Sequence, residues 1–352
     1  MSADVRQESP GVPEQGPGVV TISARDVYLS LFMFTVNLRP DSDECTKVIV
    51  RHMKELRKLG YAGFDMPVFP TGAGRFRQDV RSYAKLREAI DTAGLEDVGF
   101  TTNVATTRTF DPTSAFAEQR QLGLEYLKSR VDITAALRGT IMAGPILFPY
   151  NVFPVTDLGE PLWSDALHDW LEPRYRYARP VLEELGEYAE TKNVRVAIEP
   201  VDHWETPAPN MLSDVLGFLG EVQSRQMGVC VDSAHVVLGN VGPEAYRRDV
   251  AEIARQDRLH YVQVSAPDRG EVRDSWIPWR TFLEPLLPRY DGPLLIEVFN
   301  AIPAFLNSLH LTRRKFWVPG EDKPVSLVPN AYEVARDAID TLRQELSELG
   351  EK

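Results

Sequence analysis

The chain has 352 residues, 43% hydrophobic and 26% charged, with a formal net charge of −12. That length and apolar content suffice for one large α/β domain, and the acidic balance argues against nucleic acid or an anionic membrane surface as partner. The two cysteines, Cys45 and Cys230, lie far apart in apolar settings, which argues against a disulfide framework and makes the cytoplasm the expected compartment.

No apolar run approaches the roughly 18 residues of a membrane span, and the N-terminus lacks a basic-then-apolar signal pattern. Residues 1–24 are rich in Pro, Gly, Gln and Glu and are expected to form a disordered tail ahead of a folded domain spanning 25–352. A strand is predicted over Val27–Val36, then a helix over Asp41–Leu59 that opens on acidic residues and stops at Gly60. A strand over Ala62–Phe69 holds Asp65, and a helix over Phe76–Ala93 stops at Gly94. The strand Val98–Val104, helix Ser114–Leu137, strand Gly139–Phe148 and helix Trp163–Thr191 follow. Four further strands come after Val194, with helices near Met211–Val222, Pro243–Ala254, Trp279–Leu287 and Ala331–Leu349. Alternating strand–helix units over this length predict a single (β/α)₈ barrel, and no glycine-rich phosphate loop follows the first strand to suggest a dinucleotide fold.

The last four strands share a pattern. In Val194–Glu199 the residues Val194, Val196 and Ile198 fall on one face and Glu199 on the other. Asp232 ends Val229–Asp232 opposite its valines, Gln263 opposes the valines of Tyr261–Ser265, and Glu297 opposes Leu294, Ile296 and Val298. In a parallel barrel the apolar face packs on the outer helices, so these four oxygen donors would converge at the C-terminal mouth. Two connections on that side, about residues 145–163 and 300–330, are longer than a barrel needs. They carry Phe148, Tyr150, Phe153, Trp163, Phe305, Phe316 and Trp317, which either pack the loops down or form an apolar wall for substrate; Tyr150 and Trp163 are the candidates for contact. The run Arg313-Arg314-Lys315 is either solvated or faces a second copy in an oligomer, which is the expected state.

The stretch Glu199-Pro-Val-Asp-His-Trp-Glu205, with Asp232-Ser-Ala-His235, Gln263, Arg269, Trp276-Ile-Pro-Trp279 and Ile296-Glu297, resembles the sugar isomerase/epimerase superfamily. This is the xylose-isomerase-like barrel group that includes the ketohexose 3-epimerases. The resemblance implies a divalent metal, Mn²⁺ first and Mg²⁺ or Co²⁺ next, held by Glu199, Asp232, Gln263 and Glu297. It also implies proton transfer by Glu199 and Glu297. Glu205, His235 and Arg269 match positions that hold sugar hydroxyls or the carbonyl. Gln263 departs from the epimerase pattern, which places His there; His260 is nearby but has the opposite parity. Dehydratases of the superfamily can use Gln.

Such a site would deprotonate carbon beside a ketone. His235 and Arg269 would stabilise the oxyanion. The aromatic loops and Gln263 favour elimination of an aglycone from a 3-oxo-glycoside, as in C-glycoside deglycosidase α-subunits, which work with a small β-subunit. The alternatives are ketose 3-epimerisation or isomerisation through the same enediolate, and a non-catalytic barrel subunit.

Overall fold

The structure is a computed structural model and describes residues 25–34, 40–239, 242–300 and 315–350. Eight parallel strands close into one barrel: β1 (Val27–Ser30), β2 (Gly63–Pro67), β3 (Gly99–Asn103), β4 (Ile141–Gly144), β5 (Arg195–Ile198), β6 (Met227–Asp232), β7 (Leu259–Val264) and β8 (Leu294–Ile296). Neighbours in sequence are neighbours in the sheet, and β8 returns to pair with β1 through Tyr28 and Leu295. Between the strands run α1 (Asp43–Lys58), α2 (Phe76–Thr92), α3 (Ala117–Ala136), α4 (Ser164–Thr191), α5 (Leu212–Leu219), α6 (Ser233–Gly239), α7 (Pro243–Arg255) and α8 (Trp279–Leu283), with α9 (Ala331–Glu348) after β8. No helix among the described residues is long and apolar enough to cross a membrane.

Local chemistry explains where elements begin and end. Ser42 Oγ accepts the Cys45 N–H at the head of α1, and Asp43 and Glu44 fill its first turn. Asn330 and Glu333 exchange reciprocal side-chain bonds at the head of α9, a capping box. The predicted first strand is shorter than expected: Ser30 Oγ takes the Phe32 N–H and turns the chain into a 3₁₀ segment, Leu31–Met33. Its last two positions, 35 and 36, lie outside the described residues, as does the expected tail over 1–24. The predicted fourth strand also stops early, at Gly144. Its φ is 132°, and a Cβ there would lie 2.2 Å from the Val104 carbonyl oxygen, so only glycine fits. The Gly144 carbonyl accepts the Ile146 N–H at 2.9 Å and the Glu199 N–H at 3.0 Å. Helix α6, seven residues long, was not anticipated, because it is too short to show a helical period.

The alternation along the strands sorts two packed regions. Val196, Ile198, Val229, Val231, Val262, Val264, Leu294 and Ile296 join the large core between sheet and helices. Ala197, Cys230, Tyr261 and Leu295 form a separate cluster inside the barrel with Ile141 and Ala143. Both cysteines are free. Tyr28 enters this interior over Gly99 and Gly63, where added Cβ atoms would meet its hydroxyl oxygen at 1.9 Å and its ring at 2.5 Å.

Above that floor Asp65 is fully buried. Its Oδ1 accepts the Thr101 hydroxyl at 2.7 Å, and Thr101 Oγ1 lies 2.6 Å from the Tyr261 hydroxyl. Burial pushes the Asp65 carboxyl up to about 7; the Thr101 hydrogen bond opposes the shift and the charge of Glu199 adds to it. A carboxyl that holds its proton more tightly folded than unfolded contributes stability below its unfolded pKa, 3.8 for the free group, and loses it as pH rises through 7. The ceiling is about 4 kcal/mol at about 1.36 kcal/mol per pH unit. Asp65→Asn cannot ionise and keeps an acceptor for Thr101. In chelator-treated protein its stability relative to wild type should rise between pH 4 and pH 8 in denaturant melts. A difference flat across that range would show that Asp65 ionises normally.

Candidate active site

Each barrel strand from β5 to β8 delivers one polar side chain to the mouth. Glu199 follows β5, Asp232 ends β6, Gln263 lies in β7, and Glu297 follows β8, its N–H held by the Val264 carbonyl at 3.0 Å. All four are at most 3% exposed. Glu199, Asp232 and His235 bring ligand atoms within 4.8 Å of one another. Glu297 joins them through Arg269, whose Nη1 lies 3.3 Å from Glu297 Oε2 and 3.5 Å from Asp232 Oδ1.

Short-range bonds fix these groups. Asp232 Oδ1 accepts the His235 N–H at 2.9 Å, so the carboxylate also caps the first turn of α6. Its Oδ2 accepts the Ser265 hydroxyl at 2.6 Å, and Ser265 Oγ accepts Arg269 Nη1 at 3.1 Å. Arg269 itself occupies a left-handed turn, φ 57°, closed by its N–H on the Ala266 carbonyl. A non-glycine residue there is strained, and the charge contacts of its side chain offset that strain.

His235 sits between opposing influences. Its Nε2 is 2.6 Å from Arg269 Nη2 and 3.3 Å from Glu199 Oε1; Nδ1 is 3.3 Å from Asp202 Oδ2. Burial and Arg269 favour the neutral ring, while Asp202, Asp232 and Glu199 push its titration well above the ordinary histidine range. A guanidinium can only donate, so the 2.6 Å contact needs a lone pair on Nε2. That contact belongs to the neutral ring, whereas the carboxylates around it favour the charged one, so His235 is held between its two protonation states. Glu205 adds another buried carboxylate; its Oε1 accepts the Tyr150 hydroxyl at 3.2 Å, and it does not cap α5, a role taken by Asp214.

The charge here is out of balance. Glu199, Asp202, Glu205, Asp232 and Glu297 are all buried, and Arg269 is the guanidinium that touches Asp232 and Glu297. Burial pushes the Glu199 and Glu297 carboxyls up, Glu297 strongly, with Arg269 opposing the shift at both and His235 opposing it at Glu199. Both amide atoms of Gln263 are buried without a hydrogen-bond partner. Excess buried negative charge beside an unpartnered amide fits a divalent cation, which would compensate the charge and take the amide oxygen as ligand. These donors are mainly oxygen, suited to a hard ion.

Glu199, Glu205, His235, Arg269, Glu297 and Tyr150 border one cavity of about 280 Å³. Trp163 does not line it: the side chain is 78% exposed at the head of α4. The other loop aromatics of the sequence reading lie elsewhere too. Phe148 and Phe316 are buried in the core, Phe153 is exposed, Trp317 donates its indole N–H to Val328, and Phe305 lies outside the described residues. The wall is made instead by Phe32, Phe69 and Phe299. Phe299 could have been found by extending the β8 alternation by two residues past Glu297, and Ser265 by the same step past Gln263. Asp202 lay inside the motif but carried no parity signal.

A ring of buried carboxylates at the C-terminal mouth of an eight-stranded parallel barrel is the layout of a barrel enzyme. The chain matches the xylose isomerase-like TIM barrel family over residues 53–315 and belongs to it. Its relatives include the ketose 3-epimerase of Arthrobacter globiformis, 23% identical over 76% of this chain and 85% of that protein. The L-ribulose 3-epimerase of Methylomonas sp. (strain DH-1) is 24% identical over 57% of this chain and 65% of its own length, just under two thirds. Among solved structures, an Anabaena variabilis ATCC 29413 protein provisionally described as a sugar phosphate isomerase/epimerase is 55% identical, with a TM-score of 0.91 over 93% of this chain and all of that one. The structure of a Methylomonas sp. D-allulose 3-epimerase superimposes at TM-score 0.71 over 93% of this chain and 99% of that one with 18% identity, which speaks for the fold alone. The chain is thus a xylose isomerase-like TIM barrel, and the curated relatives it resembles carry the names of sugar epimerases.

Ser265 gives the geometry a direct check. Ser265→Ala removes the hydroxyl that bonds buried Asp232 and supports Arg269. We expect a loss of about 1–3 kcal/mol in urea unfolding of the metal-free protein, the cost of stranding a buried acceptor. An unchanged midpoint would mean these contacts do not hold the carboxylate.

Proposed function

We infer that the protein is a divalent-metal-dependent epimerase of a keto sugar, moving a proton on the carbon beside the ketone. The observation that carries this is the pair Glu199 and Glu297, which come from non-adjacent strands and border the same cavity. Burial raises both carboxyls above the ordinary glutamate range, which makes each a stronger base toward a carbon-bound proton. A divalent ion held by Glu199, Asp232, Gln263 and Glu297, with Mn²⁺ the first to try, would supply Lewis-acid polarisation of the ketone. One glutamate removes the proton from the carbon and the other returns one from the opposite face. Arg269 provides positive charge beside the developing oxyanion, and His235 and Glu205 hold neighbouring hydroxyls.

The same deprotonation could lead to elimination from a 3-oxo-glycoside, which the sequence motifs favoured. The epimerase names of the relatives support epimerisation instead.

In D₂O with Mn²⁺, a turned-over ketose should be recovered as an epimer pair carrying deuterium beside the carbonyl. Glu199→Gln and Glu297→Gln should each lower turnover by roughly 10²–10⁴. Aglycone release from a 3-oxo-glycoside, without epimer or exchange from any free ketose, would replace this reading with elimination. Mn²⁺ at about 100 times its dissociation constant should stabilise the wild type by about 2.7 kcal/mol in thermal melts. Asp232→Asn should lose that gain; an equal gain in the variant would place the ion elsewhere.

A further inference from the structure

Arg269 reaches the mouth from a turn that a lysine beyond β8 holds in place. Two peptide planes flank Arg269, and all four of their polar groups are engaged. In the plane before it, the Arg269 N–H donates to the Ala266 carbonyl at 2.8 Å, and the Asp268 carbonyl accepts Lys315 Nζ at 2.8 Å. In the plane after it, the Arg269 carbonyl accepts the Phe299 N–H at 3.0 Å, and the Gly270 N–H donates to Asp268 Oδ1 at 3.0 Å. The other oxygen of that carboxylate is ion-paired with Lys315. Lys315 thus holds the first plane directly and the second through Asp268.

Lys315 closes the basic run Arg313-Arg314-Lys315, whose first two members lie outside the described residues. It is half-buried on Asp268 rather than free in solvent. Burial would raise the Asp268 carboxyl, but Lys315 and the Gly270 N–H hold it below its ordinary range. The ammonium fills the space that a Cβ on Gly270 would need: such an atom would lie 2.8 Å from Lys315 Nζ. The next residue, Phe316, is buried in the core, and its carbonyl accepts the Asn300 side-chain amide at 3.3 Å, so Lys315 springs from a fixed point.

This matters because the backbone of Arg269 is strained, at φ 57°. A conformation of that kind persists where its surroundings over-determine it. At the far end of the side chain, Nη2 lies 2.6 Å from His235 Nε2, and Nη1 meets Ser265 and Glu297. As an ion pair, Lys315–Asp268 adds little to folding stability, since the Asp268 side chain is 69% exposed. Its effect falls on where the guanidinium stands.

We propose that Lys315 is a positioning residue: its ammonium locks the turn from Asp268 to Gly270 and so fixes the Arg269 guanidinium against His235 and the mouth carboxylates. The proposal deepens the epimerase reading, in which Arg269 stands beside the developing oxyanion, and its effect on turnover rests on that reading. Misplacing such a group by about 1 Å costs roughly a hundredfold in rate, and a loosened turn about tenfold or more.

The test is ¹⁵N NMR of the imidazole rings in the full-length Mg²⁺-loaded protein, with the His235 signals assigned by their loss in His235→Gln. Lys315→Met should shift them. Gly270→Ala, whose Cβ displaces the ammonium, should shift them likewise. Lys323→Met, which removes the same charge from an exposed position of the same segment, should leave them in place. With Mn²⁺ and a turned-over ketose, Lys315→Met should lower kcat about tenfold or more with KM nearly unchanged, while its urea midpoint moves little. His235 signals unmoved in Lys315→Met, an equal shift in Lys323→Met, or an unchanged kcat would each overturn the proposal. The NMR arm needs no substrate, so the expected shifts in a protein that exchanges no deuterium into any ketose would uphold the positioning role while refuting the epimerase reading.

Discussion

Negative charge crowded into a buried space is the constraint that organises this molecule. Five carboxylates reach the interior of one barrel mouth, and Arg269 contacts Asp232 and Glu297 among them. Carboxylates in such a setting are costly unless they are paired, hydrogen-bonded or bound to a cation. Much of the local architecture answers that cost. Ser265 and the first turn of α6 satisfy Asp232, a strained left-handed turn delivers Arg269, and the hydroxyl of Tyr150 reaches Glu205. What these bonds leave over is the bare amide of Gln263 and the surplus charge, the two features on which the proposed cation site rests.

The same cost links structure to chemistry. A carboxyl raised by burial gives up its proton reluctantly, and two of them bordering one cavity can pass a proton across a substrate carbon. The fold keeps these groups rigid by hanging them directly on strand ends, whereas the phenyl wall opposite them comes from the segments following β1, β2 and β8. The buried carboxylates and the phenyl wall thus come largely from different parts of the barrel.

Much of this was readable in the sequence, for a definite reason. Period two is exact in a strand, so the parity of Glu199, Asp232, Gln263 and Glu297 against their valines and leucines told which face each would take. The closed barrel and its inner cluster of Ala197, Cys230, Tyr261 and Leu295 follow from the same alternation. Loops offer no such rule. Trp163 and Phe153 were candidates for the substrate wall because they are aromatic and near the mouth, yet both face solvent, and Phe148 turns into the core. Phe32 and Phe69 escaped notice because a 3₁₀ turn and a proline-flanked corner, not a strand, place them. The relatives' epimerase activity also weighs against the elimination chemistry that those misassigned aromatics had favoured.

The central claim is that the barrel mouth is a cation site formed by the ends of β5 to β8. Anomalous diffraction at the manganese absorption edge, on crystals of the full chain grown with Mn²⁺, addresses it most directly. The account predicts one strong peak within bonding distance of Glu199, Asp232, Gln263 and Glu297. A peak bounded instead by Asp202, Glu205 and His235, or no peak at the mouth under saturating Mn²⁺, would contradict it.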